Sequence, residues 1–311
     1  MLLAFPTIIT FDSMTNFDEH INFRLTRYKE FIQKPHFNQD LKGLHHIELN
    51  VAETCTRKCS FCPRGNPELY PNQRKFMDVS TFENFLNGCI KDSYKEEIHF
   101  TGFGESLCHP NILELLSLIK AKQMQNYFVL TTNGDLLKKI DPTVLYDLGI
   151  SHITISCYDG IDSYNSFVEL MQSTNKSFFV RKLWDPPTSE FLQTNEFLDR
   201  TNRTPKQGKC YIPFYKMFID YDGRVLLCSN DWFRKANIEL NINTHSLKDI
   251  WYDRSLQEYR ASLIQGKRNM SPCSSCSVTG TLMGKESAEK MEPTVGLEPT
   301  TYGLQNRCSA N

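Results

Sequence analysis

Cys55, Cys59 and Cys62 stand in Cys55-Thr56-Arg57-Lys58-Cys59-Ser60-Phe61-Cys62, a C-x3-C-x2-C run just after an alternating apolar stretch. Three thiolates at that spacing share one tight loop. They can ligate three irons of a cubic [4Fe–4S] cluster and leave the fourth iron open to a ligand from outside the chain. The alternative is zinc, which wants a fourth ligand from a second knuckle. A knuckle exists at Cys273-Ser274-Ser275-Cys276, but Cys210 and Cys228 are its better partners. Those four cysteines make a second constellation, suited to a structural zinc ribbon or to a fully ligated cluster.

Other residue types capable of chemistry sit at the ends of short apolar runs. Thr101-Gly102-Phe103-Gly104-Glu105-Ser106 is a glycine loop whose carbonyls can approach an ammonium closely, although a lone glycine loop is more often an ordinary turn. Thr131-Thr132-Asn133-Gly134 reads by itself as a turn, and Ser156 as an interior hydroxyl. Arg181 is either a solvated strand-end charge or a partner for a carboxylate, which guanidinium binds bidentately. Cys89, Cys108 and Cys157 read as small buried hydrophobes. His99 and His109 read as hydrogen-bonded structural residues.

The elements that must position these groups alternate. A helix is expected near Phe17–Phe31, in a segment that shows no chemistry of its own. Ile47, Leu49 and Val51 alternate as a strand feeding the cysteine loop. Ser80 and Glu83 are spaced as a capping box for a helix. Then come a strand at Glu97–Thr101, a helix opened by Pro110, a strand at Tyr127–Thr132, a helix at Pro142–Leu148, and strands at His152–Cys157 and Phe178–Lys182. Strand–helix alternation predicts a parallel sheet, with ligands at the carboxyl ends of its strands. From about Lys206 the character changes. Phe214–Ile219, an Asp222-Gly223 turn and Arg224–Leu227 predict a hairpin, followed by a helix over Ser246–Gln265.

Length and charge narrow the class. The chain has 311 residues, enough for one large and one small domain, and a formal net charge of −1, with no basic footprint for nucleic acid. The clustering of its eleven cysteines argues for metal rather than disulfides. No apolar run approaches the length of a membrane span, and Met1–Pro6 lacks a basic leader, so a cytoplasmic protein without a membrane partner is expected. The stretch from Glu286 reads as a disordered tail, and Cys308 as non-functional with it.

The cysteine loop, the glycine loop after the second strand and the Thr-Asn-Gly segment after the third together resemble the signature of the radical S-adenosylmethionine (SAM) superfamily. The resemblance covers residues 45–285. It implies a partial (β/α)6 barrel over 45–204, after an N-terminal extension over 1–44 and before a tail over 286–311. It also implies SAM on the open iron, with Phe61, Gly102, Gly104, Glu105, Thr132, Asn133, Ser156 and Arg181 around the cofactor. The pattern from Asp222-Gly223-Arg224-Val225 to Cys228, then Ser246–Trp251 and Pro272-Cys273, resembles the "twitch" domain, a shortened SPASM domain. This implies a small C-terminal α+β domain over 205–285, holding a second [4Fe–4S] cluster on Cys210, Cys228, Cys273 and Cys276.

The implied activity is oxidation of a small molecule, a sugar or cyclitol alcohol, fed by a low-potential donor of flavodoxin or ferredoxin type. Peptide or protein maturation is the enzymatic alternative, and a two-site zinc interaction protein the non-enzymatic one. Such dehydrogenases place a substrate-contacting arginine before the first auxiliary cysteine; Arg200 and Arg203 lie there, in a segment that matches poorly.

Overall fold

The computed structural model describes residues 16–34, 40–184 and 205–291. Its centre is a seven-stranded sheet built from β1 (His46–Leu49), β2 (Glu97–Phe100), β3 (Tyr127–Thr132), β4 (His152–Cys157), β5 (Phe178–Lys182), β6 (Lys216–Ile219) and β7 (Val225–Leu226). The order is β5-β4-β3-β2-β1-β6-β7. The pairs from β5 to β6 are parallel, and β7 turns back antiparallel on β6. β6, expected in a separate small domain, extends the main sheet beside β1, with Ile47 opposite Met217.

Helices α2 (Val79–Lys91), α3 (Ile112–Ala121), α4 (Pro142–Asp147) and α5 (Ile161–Gln172) link successive strands from β1 to β5. Such crossovers bury strands on both faces. Ile47, Leu49, Ile98, Phe100, Phe128, Leu130, Ile153 and Ile155 are accordingly all buried. The result is a mixed α/β fold with a parallel core, the architecture of a partial barrel.

Several boundaries differ from expectation. α2 begins just after Asp78, so Ser80 and Glu83 lie inside it rather than forming a box. α3 starts after Asn111, with Pro110 outside. A short α6 (Ile212–Tyr215) precedes β6. The single helix expected over Ser246–Gln265 is two, α7 (Leu247–Trp251) and α8 (Arg254–Ile264). Ser246 caps the first, and the Asp253 side chain accepts from Ser255 N and starts the second. The tail expected from Glu286 begins as helix α9 (Lys285–Met291), whose Ser287, Ala288 and Met291 are buried.

The N-terminal segment does more than expected. Its helix α1 (Asn16–Gln33) crosses the amino ends of the strands in order. His20 stacks on Phe179 of β5, Phe23 on His152 of β4, and Arg27 lies 3.7 Å from the Tyr127 ring of β3. Arg27 also pairs with Glu97 of β2, while Tyr28 and Phe31 meet His45 just before β1. These positions share one helical face.

Burial under this helix holds histidines neutral. It lowers His45 to about 3 and His152 to about 4, and drives His46 well down. In the unfolded chain each takes up a proton near pH 6.5. Below that pH the unfolded state therefore binds more protons and folding weakens. Each such histidine is expected to cost about 1–2 kcal/mol at roughly pH 5. Urea unfolding at about pH 7 and pH 5 checks this; a midpoint that does not fall would contradict it.

Candidate active site

β1 delivers the chain to the cysteine loop through a buried polar network. Asn50 Oδ1 accepts from Phe103 N (2.9 Å), and its Nδ2 donates to Glu53 (2.9 Å) and Asp220 (2.8 Å). Glu53 also binds Arg64 (2.8 Å), Tyr70 and Arg234. Arg64 donates in addition to the Phe103 carbonyl, and Arg234 to Asp220 (2.8 Å). Glu53, Arg64 and Asp220 are buried, so each charge needs these partners. The network ties together the segment before Cys55, the turn after Cys62, the glycine loop and the segment after β6. Nothing in the spacing of these residues signalled it.

The loop is tight. Cys62 N donates to the Cys59 carbonyl (3.0 Å), and a Cβ on Gly65 would fall 2.5 Å from that same carbonyl. Asn72 brackets Cys55, accepting from its amide (3.1 Å) and donating to its carbonyl (3.0 Å). The three thiols are free and half-buried. Burial, then the neighbouring Cys62 and Cys55, pushes the Cys59 thiol up to about 11.

The sequence-predicted residues at the strand ends come together around this loop. Asn133 donates from Nδ2 to Thr56 Oγ1 (3.0 Å) and toward Cys55 Sγ (3.6 Å). Buried Glu105 accepts from Asn133 N (2.8 Å) and Leu107 N (3.1 Å), joining the glycine loop to the Thr-Asn-Gly turn. Thr132 Oγ1 accepts from Gly134 N (3.1 Å). Phe61 packs against Tyr158 with the rings tilted and their centroids 5.4 Å apart, and Tyr158 shares a hydrogen bond with Ser156.

Arg57 closes the arrangement by pairing with Asp135 and, at 2.6 Å, with Asp159; neither aspartate was foreseen. Arg181 stands opposite Ser156 in the β4–β5 pairing, within electrostatic reach of Tyr158, and also lines a chamber enclosed by the strands and α1. Arg200 and Arg203 fall outside the described residues. Cys89 and Cys157 are buried as expected, whereas Cys108 is half-exposed. His109 is structural, bonded to the Met77 carbonyl and Asn111 N, and His99 bonds Glu97.

The glycines serve close approach. A Cβ at Gly102 would lie 2.5 Å from Asn50 Oδ1, and one at Gly104 2.1 Å from the Ala52 carbonyl. Gly104→Val is therefore expected to displace both the glycine loop and the strand leading to Cys55. SAM affinity should fall roughly ten-fold, the equivalent of about 1.4 kcal/mol, and core iron should fall with it. Equilibrium dialysis with SAM and an iron assay test this; unchanged values for both would remove the loop from the site.

The second constellation also converges. Burial and the nearby Cys276, Cys273 and Cys210 raise the Cys228 thiol well above its ordinary value. Buried Arg268 binds the carbonyls of Gly208 (2.9 Å) and Lys209 (3.0 Å) before Cys210, and those of Val278 and Thr279 (2.6 Å) after Cys276. A Cβ on Gly280 would lie 2.3 Å from Cys210 Sγ. Arg268→Met should leave four carbonyls without donors and cost about 2–4 kcal/mol, read as a lower unfolding midpoint.

The donor chemistry fits iron–sulfur clusters. Cys55 and Cys276 each accept a backbone N–H from two residues on, Arg57 and Val278, both at 3.4 Å. Cys62, Cys210 and Cys228 are bonded in the same way by Arg64, Ile212 and Asn230. Such N–H···S contacts stabilise thiolates and tune cluster potential. Cys157 makes the same contact with Asp159, but no other cysteine stands beside it. Among the described residues no three Cys, His, Asp or Glu side chains converge as closely as a single metal ion requires.

Comparison with known proteins agrees with the geometry. The radical SAM superfamily model matches residues 49–174, and the SPASM iron–sulfur cluster-binding domain model matches residues 210–277. The chain thus carries a radical SAM domain and a SPASM-type domain, which imply a [4Fe–4S] cluster, SAM and auxiliary iron–sulfur binding. Among particular proteins, it is 23% identical over 235 residues to the S-adenosyl-L-methionine-dependent 2-deoxy-scyllo-inosamine dehydrogenase of Niallia circulans, covering 74% of this chain and 91% of that one. The crystal structure of BtrN in complex with AdoMet and 2-DOIA superposes with a TM-score of 0.65 at 20% identity, covering 78% of this chain and 97% of that one, which shows a shared fold. The GTP 3′,8-cyclase of Chlorobaculum tepidum is 26% identical over 165 residues, covering 53% of this chain and 43% of the cyclase. Among the described residues no helix is long and apolar enough to cross a membrane.

Proposed function

We propose that this radical SAM oxidoreductase dehydrogenates an alcohol of a sugar or cyclitol, using two [4Fe–4S] clusters. The observation that carries the reading is the contact of three loops at one end of the sheet, where Glu105 bonds Asn133 and Asn133 reaches Cys55. Cys55, Cys59 and Cys62 would hold the core cluster, and Cys210, Cys228, Cys273 and Cys276 the auxiliary one. Bound together, the core cluster and SAM supply a 5′-deoxyadenosyl radical after one-electron reduction by a low-potential donor of flavodoxin or ferredoxin type.

The residues of the chain do the positioning. Phe61, Gly102, Gly104, Glu105, Thr132, Asn133 and Ser156 would hold SAM, the glycine loop offering backbone carbonyls to its ammonium. The Arg57 clasp on Asp135 and Asp159 fixes the cysteine loop over the strand ends. Oxidation of an alcohol to a ketone removes a hydrogen atom, then a proton and a second electron. Ligation by all four of Cys210, Cys228, Cys273 and Cys276 would leave an auxiliary cluster no open iron for substrate, which would suit it to take that electron. Likeness to the inosamine dehydrogenase along 91% of its length supports a polyol substrate.

The test is an anaerobic assay with reductant, SAM and deuterated polyols, following deuterium into 5′-deoxyadenosine. Deuterium transfer with formation of ketone is expected. SAM cleavage without transfer from any polyol, but with transfer from peptides, would replace this reading with peptide maturation.

A further inference from the structure

Beneath the SAM loops, α1 and the strands enclose a chamber of about 120 Å³ whose charges do not balance. Two carboxylates and three guanidiniums line it: Glu48, Glu97, Arg24, Arg27 and Arg181. Each carboxylate already has its own cation. Glu48 takes both oxygens to Lys216 Nζ at 3.0 Å, and Glu97 pairs with Arg27 and bonds His99 at 2.8 Å. Arg24 reaches Glu48 only through space, without an ion pair or hydrogen bond among the described residues, and Arg181 has no carboxylate beside it and a buried Nε left without an acceptor. The neighbouring imidazoles offer no compensation. Burial, then Arg181 and Arg24, lowers His20 to about 2. Two guanidiniums facing one enclosed space whose carboxylates are already paired with other cations is costly.

The chamber is placed to anchor something that reacts above it. Thr101, which precedes the glycine loop, and Thr131, which precedes Thr132 and Asn133, line the same space. A group held at Arg24 and Arg181 would leave the rest of its molecule pointing at the radical site. The space holds several waters or a small ligand group. Guanidinium pairs recognise carboxylate and phosphate with geometric specificity.

We propose that Arg24 and Arg181 bind an anionic group of the substrate, a carboxylate or a phosphate, so that the polyol oxidised here is an acidic one. This rests on the enzymatic reading above and narrows its substrate class. It also gives the N-terminal helix a specificity role and draws Arg181 away from SAM.

The reconstituted full chain, saturated with SAM, should be titrated calorimetrically with inorganic phosphate, with D-glucuronate and with neutral myo-inositol. One anion is expected to bind at least about ten-fold more tightly than inositol. Phosphate would identify a phosphate ester, and glucuronate a carboxylate. Arg24→Gln should abolish that preference and Arg24→Lys should restore most of it, with SAM affinity and SAM cleavage unchanged. Absence of any anion preference in the wild-type chain overturns the proposal, whether or not Arg24→Gln folds. It is also overturned if Arg24→Gln weakens SAM as much as the anion, because SAM's own carboxylate would then be the occupant. Failure of the wild-type chain to cleave SAM would instead sink the enzymatic reading, which separates the two.

Discussion

Replacing Cys55, Cys59 and Cys62 together by alanine is expected to abolish SAM cleavage and to halve the iron, from about eight to about four per chain. The three thiols lie on one loop and are free. That loop is held from outside itself, by Arg64 on Glu53 and Phe103 and by Asn72 on Cys55. The polypeptide should therefore keep its shape without the core metal, and the remaining iron should sit at Cys210, Cys228, Cys273 and Cys276. Anaerobic iron and sulfide assays, with chromatography for 5′-deoxyadenosine, give the readout. Retention of SAM cleavage would remove the loop from the active site. Colourless wild-type protein holding zinc in place of iron would return both constellations to structural sites.

The cysteine spacing was legible because it is local: C-x3-C-x2-C needs only one turn of loop to bring its sulfurs together. β3, β4 and β5 were legible to the residue because apolar runs such as Phe128–Leu130 and Ile153–Ile155 end at polar or turn residues. What escaped depends on distant partners. Glu53 meets Arg234 across 181 residues and Asn50 meets Asp220 across 170, separations at which no periodicity operates. Local chemistry also misled in one place. Leu247 to Leu263 has near-helical apolar spacing, yet Asp253 breaks the run by offering its carboxylate to Ser255 N. α1 was expected as a helix, but which face mattered could be known only once His20, Arg24 and Arg27 met the strand ends. The hairpin of β6 and β7 was foreseen from Asp222-Gly223, whereas its parallel union with β1 was not, because turn residues specify only the antiparallel partner.

The double variant Cys273→Ala/Cys276→Ala should bind and cleave SAM at close to the wild-type rate while losing oxidation of substrate. The three loops proposed to hold SAM are fastened to one another through Glu105, Asn133 and Arg57. The two auxiliary cysteines sit in the turn at Cys273–Ser275 and just after it. Their connection to the active site is indirect, through β6, Asp220 and Arg234. Metal binding and folding are coupled, so loss of this cluster also threatens the small domain. Arg268 offers a partial safeguard, since its bonds to Gly208, Lys209, Val278 and Thr279 hold the cysteine-bearing segments together by protein contacts alone. Near-UV circular dichroism and gel filtration establish whether the variant is folded. A folded variant that cleaves SAM but accumulates no ketone supports an electron-accepting auxiliary cluster. A folded variant that forms ketone at the wild-type rate would make the second constellation structural and send the second electron elsewhere.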